Sequence, residues 1–395
     1  MTDPAPWPVS TPTQLAQATV VPIVHTVTVS YQPDPDYLAD PVFITLTAVM
    51  TDVDLDASRF PMGIATVVAT GMVFGTDIPR DAFTWRAAKL YVTADYRWNT
   101  LGAPLGPSPG YMPDRVIYAG VVTGVEDVAG GQRITAETYD ALHDTPHVGG
   151  PLTVSQTATT GGQALGSLPM RSAGTPNGML VPLRVRDSLT RPPIPDANTV
   201  ALLRQLTLDP GDRVADLVQA AVDAYPNATT LPDRTGEYVE LVERITPTMG
   251  NALDLRPLMG LVLAQPLVTT TTDDWASVVR FTATWTDSTG EERSQTLVRT
   301  NLANPNSTAT PFARSRDVNR QLRPPGDDLN NQVGLVWAAL ERLQNRTWRA
   351  TVQAKPALWV LPGTPAVVGP GLLGVVTSVR FTLPNNVMAV SVRPI

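Results

Sequence analysis

The amino-acid sequence predicts a mainly β protein with some α, built as a β-rich unit at each end of the chain with a linker and an α-rich unit between. Three observations carry this. Residues 356–395, PALWVLPGTPAVVGPGLLGVVTSVRFTLPNNVMAVSVRPI, read as strand, Pro/Gly turn, long strand, short turn and strand. The composition couples 38 Pro and 28 Gly with only 16% charged residues, which suits short strands joined by turns better than charge-rich helices. Period-two apolar patterns also cluster in the first third and last third of the 395 residues, with helical spacing between them.

Residues 1–16, beginning MTDPAPWPVSTP, are expected to form an N-terminal arm; they hold neither a basic region nor an apolar core, so no signal peptide is expected. Residues 17–143 form the first β-barrel or sandwich domain. Val21, Ile23, Val27 and Val29 alternate, as do Val42, Ile44, Leu46, Ala48 and Met50, and Leu90, Val92, Ala94 and Tyr96. Gly120 and Gly124 interrupt the following strands as bulges do. Residues 144–195 carry TATTGGQ, AGTPNG and RPPIP, the mark of a Pro/Gly/Thr-rich linker or long loop.

Residues 196–266 are expected to be α-rich. Asp212 can cap a helix over 212–225 whose apolar face is Val214, Leu217, Val218, Ala221, Val222 and Tyr225, stopped by Pro226 and Asn227. A second helix is expected over 249–259, ending at Gly260, with a strand over 261–267 after it. Residues 267–395 form a second β-rich domain. There a hairpin over 274–300 puts Trp275, Val279, Phe281, Ala283 and Trp285 on one face, and a helix over 333–346 is embedded, lined by Val333, Val336, Trp337, Leu340 and Leu343. In the final hairpin Leu373, Val375, Thr377, Val379, Phe381 and Leu383, then Met388, Val390 and Val392, are expected to face inward.

The totals exclude several functions. No cysteine is present, so disulfide and thiolate chemistry are out. No run of about 18 apolar residues exists, so no membrane insertion is expected. The net charge of −7 comes from residues 1–58, which hold seven Asp and no Lys or Arg, whereas 342–395 hold six bases and no acid. That asymmetry reads either as chance plus solvation or as complementarity, between the ends of one chain or between neighbours in a ring. Arg393 is expected to be an outward charge that tests it. The 27 Arg against two Lys, Lys89 and Lys355, mark a GC-rich coding sequence.

No catalytic, cofactor-binding or metal-ligating residue is expected, and no cofactor. His143 and His147 have the i, i+4 spacing of a zinc helix, but Pro146 lies inside that turn and no Glu occupies the second position. His25 falls on the apolar face of its strand. GPSPG at 106–110 matches G-x-S-x-G, yet two prolines flank Ser108 where a nucleophile elbow needs strand–turn–helix geometry. Asp52, Asp54 and Asp56 lack the Gly and Glu of a calcium loop and should share the wet face of a strand. Trp275, Trp285 and Trp337 are read as core.

Four segments resemble the hub-type minor tail proteins of actinobacteriophages. Arg59-Phe60-Pro61-Met62 followed by Ala65-Thr66-Val67 resembles the family's Arg-Val-Pro-Tyr … Ala-Thr-Leu lead-in, with Met62 where the family favours an aromatic. RAAKLYVTADYRW at 86–98 and VIYAGVVTGVEDVAGGQRITAETYDALHD at 116–144 resemble its following strands. DDWASVVRFTATWTDSTGEE at 273–292 resembles its Trp-x-x-x-Val hairpin, and the C-terminal segment its closing strands. Together they cover about half the chain, in family order.

The resemblance implies two tail-tube-like β-barrels per chain and a trimeric ring at the tail tip, the baseplate hub, capping the tail tube below the distal tail protein. It implies a structural virion protein, assembled in the host cytoplasm, that contacts the distal tail protein, the tape measure protein and other tail-tip proteins. Viral DNA would pass through the bore without specific binding, helped by like charge. No peptidase, lectin or collagen-like extension follows, so the expected role is architectural. The alternatives are the distal tail ring protein itself, which a hexamer would favour, and a glycan-binding or glycan-cleaving β-sandwich protein, which a monomer with a saturable sugar site would favour.

Overall fold

The computed structural model describes residues 15–18, 23–34, 39–83, 88–96, 115–144, 146, 150–153, 157–166, 169–170, 181–182, 185–187, 207–213, 215–216, 218, 228–233, 238–243, 247–250, 252–270, 276–286, 289–300, 315–321 and 348–394. The first part of the chain supplies β1 (Ile23–Tyr31), β2 (Val42–Leu46), β3 (Ala48–Asp56), β4 (Gly63–Thr70), β5 (Lys89–Tyr96), β6 (Arg115–Val128) and β7 (Gly131–Glu137). The middle adds β8 (Leu152–Thr153), β9 (Pro169–Met170), β10 (Val181–Pro182), β11 (Val185–Asp187), β12 (Thr207–Leu208), β13 (Ala228–Pro232), β14 (Val239–Glu243) and β15 (Leu253–Asp254). The last part holds β16 (Leu267–Thr270), β17 (Val278–Thr286), β18 (Glu292–Thr300), β19 (Ser315–Gln321), β20 (Trp348–Ala354), β21 (Pro365–Gly369), β22 (Leu372–Leu383) and β23 (Val387–Arg393). Of the described residues 59% are strand and 9% helix, so the protein is mainly β, as its composition suggests.

Among the described residues thirteen strands make one sheet, in the order β16-β20-β23-β22-β3-β4-β7-β6-β5-β1-β2, with β21 paired to β22 and β15 to β21. The expected pair of separate barrels is therefore not what the ladders trace: no closed barrel is found among the described residues, and both ends of the chain enter one sheet. The junction is the antiparallel pairing of β22 with β3, from Ser378 opposite Asp56 to Leu383 opposite Thr51. Only Thr47 separates β2 from β3 along the chain, yet they take different partners, β1 and β4, so the N-terminal strands curl back toward the segment that begins them.

Side-chain alternation follows the sequence where ladders are regular and shifts where they bulge. Leu90, Val92, Ala94 and Tyr96 are all buried. Val42 at the start of β2 is exposed, and so is Met50, where the register shifts between Ala48 and Met50; beyond that shift the buried set becomes Thr51, Val53 and Leu55. A second shift between Val376 and Ser378 does the same in β22. Val379, Phe381 and Leu383 are buried as expected, but before the bulge Gly374 and Val376 face inward instead of Leu373 and Val375. Met388, Val390 and Val392 are buried as expected. Gly120 and Gly124 do sit at irregular strands; the β6–β7 register shifts between Val122 and Gly124. A Cβ on Gly120 would come within 2.4 Å of both the Glu137 carbonyl and the Tyr118 hydroxyl, so this close approach admits no side chain.

The helix expected over 249–259 is replaced by β15 and a 3₁₀ turn, Pro257–Met259. Asp254 accepts the Arg256 N–H at 3.1 Å in a local turn, and the Leu255 N–H donates to the Val367 carbonyl at 2.8 Å, so the backbone groups a helix would need are spent elsewhere. The strand expected over 261–267 starts instead at Leu267, with Val262 making only an isolated bridge to Ala354. Ala215, Asp216 and Val218 are helical, within the span expected for the first helix. The helix expected over 333–346 lies outside the described residues. Gly161–Gly166, in the stretch read as linker, is helical and packs on β11: Gly162 N–H donates to Asp187 Oδ1 at 3.1 Å, and a Cβ there would meet the Asp187 nitrogen at 2.2 Å. The hairpin of β17 and β18 forms with Val278 opposite Thr300, and β19 joins β17 in parallel, making a separate small sheet with Val279 and Phe281 buried.

Candidate assembly surface

Ser108, His147, Trp275 and Trp337 lie outside the described residues. His25 is half-buried on β1 opposite Ala94. His143 sits in the 3₁₀ turn Tyr139–Asp144 and is buried; desolvation lowers its pKa to about 4, and its Nδ1 has no hydrogen-bond partner. It is therefore a neutral core histidine. No group of three or more His, Cys, Asp or Glu able to hold a metal occurs among the described residues, and no helix there is long and apolar enough to cross a membrane.

That turn instead anchors the RFPM segment. Asp140 accepts the Met62 N–H at 2.5 Å and the Thr138 hydroxyl, and Thr138 accepts the Gly63 N–H at 2.8 Å. Burial raises the Asp140 pKa, and these hydrogen bonds offset it in part. The Met62 side chain is fully buried beneath them, filling core space where the resembled family carries an aromatic.

The aspartate row does share the wet face of β3, as expected. Asp52 accepts Arg380 Nε at 3.1 Å and the Thr382 hydroxyl at 2.8 Å; Asp54 pairs with Arg59 at 2.9 Å; Asp56 accepts the Ser58 hydroxyl at 2.6 Å. Burial alone would raise the Asp52 carboxyl, but the hydrogen bonds from Arg380 and Thr382 outweigh it and hold the pKa below its ordinary value. Charge complementarity between the two ends of the chain is thus met inside one molecule, across the β22–β3 junction. Arg393 is half-buried with its Nε enclosed, so it is not the outward charge expected.

The same two ends are tied at a second place, which sequence reasoning missed. The buried Tyr96 hydroxyl donates to the Pro356 carbonyl and accepts the Leu358 N–H at 2.8 Å. Lys355 Nζ donates to the carbonyls of Leu15 at 3.2 Å and Ala16 at 2.9 Å, and the Leu15 side chain is fully buried. The rarity of lysine was the available signal: one of only two sits here.

Several large apolar side chains are exposed among the described residues. Val42 and Phe43 of β2 and Val49 and Met50 of β3 are exposed, as are Met259, Leu263, Leu267 and Val268 around β16. Beside β16 lies a groove of about 630 Å³ whose lining includes Met259, Pro266, Val268, Val368 and Pro370. Such surfaces suit contact with other proteins.

The architecture is one found in tail proteins of prophages. The chain aligns with the 43 kDa tail protein of prophage MuSo2 from Shewanella oneidensis at TM-score 0.53 and 11% identity, over 93% of this chain and 98% of that one. It aligns equally with the tail protein from Neisseria meningitidis MC58, at TM-score 0.53 and 14% identity, over 93% of this chain and 96% of that one. At these identities the likeness is one of fold. No family model matches the sequence, and no curated protein matches it.

Proposed function

We propose that this chain is a structural virion protein: a minor tail protein that forms the tail-tip hub ring of an actinobacteriophage and caps the tail tube below the distal tail protein. The observation that carries this is the whole-chain likeness to two prophage tail proteins, which spans 93% of the chain and so includes both β-rich ends and the middle. The hub-type motifs run in family order along the same chain. In this reading the copies form a trimer, and the ring contacts the distal tail protein, the tape measure protein and other tail-tip proteins. It is located at the tail tip of the virion after assembly in the host cytoplasm. It has no catalytic role, and viral DNA passes through the bore without specific binding.

Gold-labelled antibody against the chain, viewed on intact particles by electron microscopy, tests the reading: label is expected at the distal end of the tail, and label on the capsid, along the tube or absent from particles overturns it. Particles carrying Ser108→Ala or His147→Ala should plaque normally. Loss of plaques with normal particle yield would replace the architectural role with a hydrolytic one.

A further inference from the structure

Of two apolar patches, one lies at the β2 end of the strand order and runs along the chain into the start of β3, and the other lies at the β16 end; neither covers the other among the described residues. At one end Phe43 is 59% and Val49 57% exposed. At the other Leu267 is 69% and Val268 39% exposed, and β16 has all four residues exposed, none of them charged. Natural sheet edges are normally blunted by charge or covered, so an uncharged exposed edge strand beside an apolar groove marks a place for a partner.

The charges left over point to what the partner is. Asp52 and Asp54 are spent on Arg380 and Arg59 inside the chain. Asp40, just before β2, is exposed and has no cation partner among the described residues. Arg349 lies on β20 opposite Thr269 of β16, is exposed, and has no anion partner among the described residues. One patch thus belongs to the segment 1–58, which carries seven acids and no base, and the other borders 342–395, which carries six bases and no acid.

We propose that the two patches meet between copies: the β2–β3 patch of one chain docks on the β16 edge and groove of the next, with Phe43 entering the groove beside Val268. Asp40 before β2 and Arg349 on β20, opposite in charge, orient the encounter. Because the patches are different, the contact is head-to-tail and builds a ring when its rotation closes. The inference rests on the tail-tip reading for the ring, but not for the contact itself.

The absence of native cysteine makes the test clean. Chains carrying Phe43→Cys and chains carrying Val268→Cys, with different tags, are mixed at a concentration where the wild type is oligomeric and treated with a short bismaleimide. Mixed-tag product several-fold above same-tag product is expected. Val268→Arg, and independently Phe43→Arg, should reduce the oligomer to monomer by light scattering with unchanged circular dichroism. Same-tag product alone, no product, or a wild type that is monomeric throughout overturns the docking. Label at the tail tip without mixed-tag product sinks the docking and leaves the tail role standing. Mixed-tag product from a chain absent from virions does the reverse.

Discussion

His143 is the residue whose burial carries the clearest pH signature. Its folded pKa of about 4 lies below the ordinary value of 6.5, so the unfolded chain takes up a proton that the folded chain refuses. Stability is full above pH 6.5 and declines as pH falls toward 4, by about 3 kcal/mol for a shift of this size. Asp140 works the other way: its raised pKa is a penalty present at neutral pH that is relieved as pH falls. His143→Leu should flatten the dependence of the urea midpoint between pH 7 and pH 4.5, and an unchanged slope would show that the acid sensitivity lies elsewhere. Tyr96 is the second test at this scale. Tyr96→Phe keeps the ring but removes the hydroxyl that bonds the Pro356 carbonyl and the Leu358 N–H in a buried site, which costs about 1–3 kcal/mol. A thermal midpoint equal to the wild type would mean that water reaches these groups.

At the scale of the element, β23 matters more than its place at the end of the chain suggests. The sequence reads it as the last strand of a hairpin, whose loss would bare one edge. In the sheet it lies between β20 and β22, so its removal cuts the sheet through. Met388, Val390 and Val392 are at most 1% exposed, and burial of each is worth about 1.5–3 kcal/mol. Deleting 385–395 is expected to give insoluble chain and aborted tails. The milder Met388→Ala should stay folded at a cost of about 2–5 kcal/mol, measurable by denaturant. A soluble, cooperatively melting truncation would show that β20 and β22 hold together without it.

The whole molecule is governed by the joining of its two ends. The β22–β3 ladder, the Asp52–Arg380 pair and the Tyr96–Leu358 contact all run between residues about three hundred positions apart in sequence. A fragment comprising 1–143 therefore loses the strand beside β3 and exposes Val53 and Leu55 along a bared edge. It is expected to aggregate when expressed alone and to be recovered in soluble form when co-expressed with 252–395. A monodisperse fragment with a cooperative thermal transition would establish the N-terminal strands as an independent domain.

Local pattern was enough for the β class, for the strands over 90–96 and 379–392 and for the wet aspartate face of β3. These depend on which side chains can share a pleated face, and a period of two is visible in any short window. Three features depended on tertiary structure. The bulges after Ala48 and Val376 reverse the inward face through one extra residue that no residue type announces. The span 249–259 has helical spacing but gives its backbone hydrogen bonds to β21 instead. The union of both ends in one sheet arises from pairing between distant strands, where any two edges of suitable length could have met; the choice is made by the packing of the assembled core, which no window of sequence contains.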